Sequence, residues 1–117
     1  MDTDILRIAD EYTQTPGARF IRQGEYSGED FRERLLIPRF ENASQNGIIL
    51  LVDLDGCYGF LSSFIDEAFG GLTQRFGKQS VQKRLRIKSD DERALIGVID
   101  ITINEWEDKR LRESVEG

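Results

Sequence analysis

Apolar residues along this chain fall into a few short groups, and their spacing predicts alternating strands and helices. Residues 4–9 have an apolar centre that suits a short first strand. Residues 14–28 carry the turn formers Pro16-Gly17, Gly24 and Gly28, with room for a second short strand over 19–22. Ser27 then opens a helix. Its hydroxyl can accept the N–H of Asp30, and Glu29 and Asp30 suit the positive end of the helix dipole. Phe31, Leu35 and Leu36 start an apolar stripe at helical spacing, continued by Phe40 and Ala43. Pro38 is expected to kink or end this helix, and Asn46-Gly47 to close it.

Residues 48–52 are all apolar, with no alternation, which predicts a strand buried on both faces of a parallel sheet. The strand stops at Asp53-Leu54-Asp55-Gly56, and a loop follows over 56–62. Ser63 is predicted to cap a second helix, with Asp66 at its third position and Phe64, Ile65, Ala68, Phe69, Leu72 and Phe76 on one face. Gly70-Gly71 weakens that helix intrinsically and suggests that another backbone approaches closely. Gly77 is the stop. Residues 85–88 alternate as a half-buried strand, and Ser89-Asp90-Asp91-Glu92 reads as a capping box for a last helix over 90–112. Ile99, Ile101 and Ile103 also alternate like a strand, but the spacing of Leu95, Ile99, Ile103 and Trp106 favours the helix. The order predicts an α/β fold, a small sheet with helices packed against it.

At 117 residues, with 38% hydrophobic and 32% charged, the chain is read as a single globular domain over 1–117, without repeats or linkers. It has no histidine, so Ser-His-Asp chemistry, Cys-His chemistry and histidine-ligated zinc are excluded within it. The one cysteine, Cys57, can form neither an internal disulfide nor a CxxC site, which fits a reducing compartment. The acidic start and the lack of a long apolar run argue against a signal peptide and a membrane span, so a cytoplasmic location is expected. The net charge of −6 argues against nucleic-acid binding. The charge is uneven, however. Arg75, Lys78, Lys83, Arg84, Arg86 and Lys88 occur with no acid among them, as a solvated rim or as a patch for an acidic partner or a phosphate.

Two groups of residues could carry chemistry. Asp53 and Asp55 at a strand tip resemble the DxDG opening of haloacid-dehalogenase-type phosphatases, where paired aspartates attack phosphorus, manage a proton and hold magnesium. That fold is nearly twice this length, its motif lies near the chain start, and only Lys83, Lys88, Asp90 and Asp91 offer loose matches to its later residues. A two-component receiver domain would fit the length. It matches Asp10-Glu11 only loosely and lacks a lysine at a last strand, since Lys109 falls in a predicted helix. The bland alternative is that Asp53 and Asp55 end a strand and solvate a turn. The second group is Ser62-Ser63, two hydroxyls between a buried strand and a helix, where a phosphate would add about −1.5 to −2 charge. Ser63 is expected to be the cap and Ser62 the more exposed.

Several runs occur together: 15–20 (Thr-Pro-Gly-Ala-Arg-Phe), 24–32 (Gly-Glu-Tyr-Ser-Gly-Glu-Asp-Phe-Arg), the buried strand, Ser62-Ser63-Phe64, and 67–72 (Glu-Ala-Phe-Gly-Gly-Leu). Together they resemble a bacterial STAS-like family of unknown function, related to the STAS domains of anti-sigma-factor antagonists. The resemblance implies a STAS-like, mostly parallel α/β fold and a non-enzymatic regulatory role without a cofactor. It also implies a protein partner of the histidine-kinase-like ATPase class. In true antagonists such a kinase phosphorylates the first serine of an Asp-Ser-Ser-Gly-like motif, which maps onto Ser62. Here Leu61 replaces the aspartate and Phe64 the glycine, and Ser63 is the serine the offshoot family keeps. The expected switch surface covers 55–69 with the basic rim of 75–88 beside it. Its interface candidates are Asp55, Tyr58, Phe60, Asp66, Glu67, Arg75 and Lys78. Arg19 is expected either to pair locally with Glu29 or to face a phosphate.

Overall fold

The computed structural model describes residues 2–116. Strands β1 (Thr3–Arg7), β2 (Ile49–Asp53) and β3 (Leu85–Lys88) form one parallel sheet in the order β1-β2-β3. Leu6, Val52 and Ile87 lie side by side, as do Asp4, Leu50 and Leu85. On this face Leu6, Leu50 and Val52 are fully buried. The expectation that 48–52 would be buried on both faces is corrected. Ile49 and Leu51 point to the opposite face and are only half-buried, and Ile5 beside Leu51 is 55% exposed. A run of aliphatic residues gives a central strand here without two covered faces.

The short helix α1 (Ile8–Glu11) follows β1 directly. The predicted second strand near Arg19 is absent among the described residues, and a 3-10 turn occupies Ile21–Gln23. Side chains take up its backbone donors locally. The Phe20 N–H bonds Gln23 Oε1 and the Ile21 N–H bonds Glu29 Oε1, both at 2.9 Å, so no ladder is needed.

Helix 28–46 starts as predicted, with Ser27 Oγ accepting the Asp30 N–H at 3.0 Å. It comprises α2 (Gly28–Phe31), a π-helical turn (Arg32–Leu36) and α3 (Ile37–Asn46). Pro38 therefore does not end it. In the wide turn the Ile37 N–H already reaches back five residues to the Arg32 carbonyl, so the helix enters α3 in a register that needs no donor from proline. Gly47 closes α3 in the left-handed conformation, with φ 64°. Arg39 of α3 clamps both oxygens of Asp4 at 2.8 Å and reaches Glu11 at 2.6 Å, tying the first strand and first helix to the third; Asp4 is held below the usual carboxylate range by this arginine.

Helix 62–76 is built in the same way, from α4 (Ser62–Ile65), a π-helical turn (Asp66–Gly70) and α5 (Gly71–Phe76). Leu61, not Ser63, is its N-cap, and no side chain caps it. Asp66 is thus past the first turn. Phe64 and Phe69 are buried completely, and Phe64 stacks on Phe31 with centroids 5.8 Å apart. The glycine pair makes room for side chains, not for a neighbouring backbone. A Cβ on Gly70 would overlap the Trp106 indole, and one on Gly71 the Arg32 side chain.

Helix α6 (Lys78–Arg84) was not foreseen, because its one buried apolar residue, Val81, gives no stripe to read. The final helix α7 (Ala94–Glu116) starts later than the capping box suggests. Ser89 Oγ donates to the Glu92 carbonyl at 2.6 Å, and the Asp91 N–H is taken by Asp55, so 89–93 is a turn pinned to the loop after β2. Residues 98–104 are helical, as the Leu95, Ile99 and Ile103 spacing implied. Among the described residues no helix is long and apolar enough to cross a membrane.

Candidate functional site

The carboxylates at the sheet's C-terminal end are fully engaged. Asp53 Oδ1 accepts the Asp55 N–H at 2.9 Å, and its Oδ2 lies 3.6 Å from Arg7 Nε. Asp55 accepts the Asp91 N–H at 2.9 Å and Lys88 Nζ at 2.6 Å, and Asp91 in turn accepts the Gly56 N–H at 3.0 Å. The Asp91 N–H, with Lys88 second, holds the Asp55 carboxyl below the usual carboxylate range. The arrangement ties the loop after β2 to the turn after β3. Among the described residues, no three His, Cys, Asp or Glu side chains are grouped to hold a metal ion. Cys57, beside this cluster, lends its thiol to the Thr13 carbonyl at 3.5 Å, and partial burial pushes its pKa up to about 11. Thiolate-directed labelling at pH 8 should thus run about two orders of magnitude slower than for a free cysteine of pKa about 8.5. The rate should climb roughly tenfold per pH unit toward 11. Rapid labelling at pH 8 in the folded protein would contradict this burial.

A second cluster joins the front of helix 62–76 to three distant parts of the chain. Arg19 Nη1 donates to Asp66 Oδ2 at 2.7 Å and to Glu67 Oε1 at 3.3 Å. Arg32 Nη1 donates to Glu67 Oε2 at 2.7 Å and to the Glu67 carbonyl at 2.8 Å. Trp106 Nε1–H donates to Asp66 Oδ1 at 2.8 Å. Chiefly through its bond to Asp66, Arg19 is raised above its ordinary pKa. The expected Arg19–Glu29 ion pair does not form. Glu29 is spent on the Ile21 N–H, while the Arg19 carbonyl accepts the Glu29 N–H at 3.0 Å. The runs 15–20, 24–32 and 62–72 are thus one physical object, an ionic knot at the contact of two helices. Packing agrees: the Gly17 N–H bonds the Tyr26 carbonyl at 2.9 Å, and a Cβ on Gly28 would lie 2.5 Å from the Phe64 carbonyl oxygen.

A family model described as a STAS-like domain of unknown function matches residues 27–93, more than half of the chain. The chain belongs to this family. No similar curated protein and no similar solved structure was found. In this STAS-like chain the matched region includes α2, α3, β2, the serine pair, the glycine pair and β3.

The remaining candidates of the STAS-like site are dispersed. Ser62 is exposed and Ser63 half-buried; among the described residues neither hydroxyl takes a hydrogen bond within the chain. Ser62, but not Ser63, lines an open cleft of about 330 Å³ together with Arg19, Asp66, Val98, Ile101 and Glu105. Tyr58 is 85% exposed at the loop tip, whereas Phe60 folds inward against Phe64. Asp55, Asp66 and Glu67 are bound within the chain and offer little to a partner. Arg75 is exposed above the Phe76 ring, and Lys78 gives its backbone N–H to Glu107. Sequence reasoning missed Arg32, Trp106, Val98 and Ile101. Arg32 stands in the 24–32 run, but nothing in the sequence pairs it with Gly71, against which its side chain packs. Val98 and Ile101, 38% and 59% exposed, were masked by the stronger stripe of Leu95, Ile99 and Ile103.

Proposed function

We propose that this STAS-like domain is a non-enzymatic regulatory module of the bacterial cytoplasm that docks a protein partner, a histidine-kinase-like ATPase, across the cleft beside Ser62. The ATPase phosphorylates Ser62. In that transfer the Ser62 Oγ–P bond forms, the bond between the γ-phosphorus and the bridging oxygen of ATP breaks, ADP leaves, and the hydroxyl proton passes to solvent or a partner base. The supporting observation is the position of Ser62. The residue is exposed, its hydroxyl makes no hydrogen bond among the described residues, and the open aliphatic side chains of Val98 and Ile101 border the same cleft. An apolar rim of this kind is a contact surface, and a phosphate placed in it would add charge where a partner must desolvate. Engagement of all four oxygens of Asp53 and Asp55 within the chain favours this reading over a magnesium-dependent phosphoryl-transfer enzyme.

The test is incubation of the purified chain with ATP and a histidine-kinase-like ATPase encoded beside it, followed by peptide mass spectrometry. One phosphate on Ser62, lost in Ser62→Ala and kept in Ser63→Ala, is the expected result. Phosphate elsewhere, or none while the ATPase binds ATP, would sink the reading.

A further inference from the structure

We propose that Arg19 is the receiving group for the phosphate on Ser62, and that the guanidinium leaves Asp66 to make this contact. The inference rests on the reading that Ser62 is the modified residue, and it assigns what the modification does inside the domain.

Three observations carry it. Arg19 and Ser62 line the same cleft, and Arg19 is the one cation among the cleft's lining residues. The other charged groups there, Asp66 and Glu105, are anionic and would repel a phosphate. A phosphate on Ser62 thus has one cationic side chain in the cleft, and a guanidinium fork suits its oxygens better than it suits the present contacts, in which Nη1 alone meets Asp66 Oδ2 and Glu67 Oε1. The present partners of Arg19 can also release it without being stranded. Asp66 keeps the Trp106 indole N–H at 2.8 Å, and Glu67 keeps Arg32 at 2.7 Å. With its side chain 30% exposed, Arg19 is neither locked in the core nor fully solvated.

The exchange has a consequence across the cleft. Asp66 connects Arg19 to Trp106, so losing Arg19 leaves the Asp66 carboxylate as a stronger acceptor for the indole alone. Trp106 belongs to α7, the helix that carries Val98 and Ile101. The modification therefore reaches the proposed docking face through Asp66 as well as by its own charge. Ser63 could not use this route, because it does not line the cleft.

The experiment uses the full chain with phosphoserine installed at position 62 during translation, so no kinase is involved. Failure of kinase modification would leave this test standing, and failure here would leave Ser62 modification standing. The first readout is the phosphorus-31 titration of the phosphate, compared with the same chain unfolded in urea, where the second pKa is about 6. Contact with Arg19 lowers that pKa in the folded protein. If Arg19 stays on Asp66, the phosphate faces Asp66 and Glu105 and its pKa is no lower than in Arg19→Gln; an unchanged or raised value, or an equal value in Arg19→Gln, overturns the proposal. The second readout is the indole N–H resonance of Trp106, the single tryptophan. Phosphoserine should move it downfield, toward its position in unmodified Arg19→Gln, and should produce no such shift in the Arg19→Gln background. An equal shift in both backgrounds overturns the proposal. If Arg19→Gln does not fold, an unchanged or raised wild-type pKa still overturns the proposal.

Discussion

Gly28→Ala is expected to destabilise the domain by about 3 kcal/mol, whereas Gly97→Ala should stabilise it by about 1 kcal/mol. The two substitutions add the same methyl group to a helical glycine, and intrinsic propensity favours alanine at both. The surroundings decide the sign. The new Cβ at position 28 would sit 2.5 Å from the Phe64 carbonyl oxygen and 3.1 Å from the Phe64 Cα. Those are backbone atoms of α4, held by a fully buried side chain, so relief requires the two helices to part. At position 97, on the exposed side of α7, nothing lies within 4 Å of the added carbon. Urea denaturation of the three proteins measures both effects at once, and equal slopes would confirm that only stability changed. A stabilised Gly28→Ala would show that α2 and α4 are not in contact there.

Glu67→Met should cost about 3 kcal/mol, and the paired change Arg32→Met with Glu67→Met should recover most of it. The Arg32 and Glu67 side chains are 14% and 12% exposed, and among the described residues Glu67 is the one carboxylate that joins both arginines of the knot. Removing the acid alone leaves a guanidinium in a largely desolvated site, retaining only Glu33 and the Glu67 carbonyl. Removing both charges leaves two long apolar side chains in roughly the same space. A double-mutant cycle by chemical denaturation separates the terms. Strict additivity, with the double variant as weak as the sum of the singles, would mean that the two residues are not coupled. Arg19 keeps Asp66 in these variants and loses its 3.3 Å contact with Glu67, so they probe the scaffold that surrounds the arginine.

The sequence carried the sheet and the main helices well, because those depend on local signals. The strand over 85–88 has the predicted bounds, Ser27 caps its helix, and Gly47 and Gly77 stop theirs. The site was less legible. Its residues lie 35 to 48 positions apart, as Arg32–Glu67 and Arg19–Glu67 do, and no spacing rule links such pairs. Arg19 of the 15–20 run is expected to pair with Glu29 of the neighbouring run, and Glu29 is the wrong partner. Local reasoning could not see that Glu29 was already needed by the Ile21 N–H. The cap at Ser63 fails for a related reason. Serine is a good cap, but here the chain enters the helix two residues earlier, with Leu61 at the boundary.

Helices 28–46 and 62–76 each contain a π-helical turn, and each such turn amounts to one residue added to an otherwise regular helix. Arg32 lies in the first; Asp66, Glu67 and Gly70 lie in the second. Removing one residue from 66–70 would restore an ordinary helix without turning 71–76, because the wide turn has already absorbed the extra residue; the residues inside the turn would shift instead, so Asp66, Glu67 and Gly70 could not all keep Arg19, Arg32 and Trp106. Length, more than composition, is therefore the constrained quantity in this stretch. Among relatives of this chain the count of residues from Ser62 to Gly77 should be invariant even where side chains differ, and gains or losses should collect in the loop over 54–61.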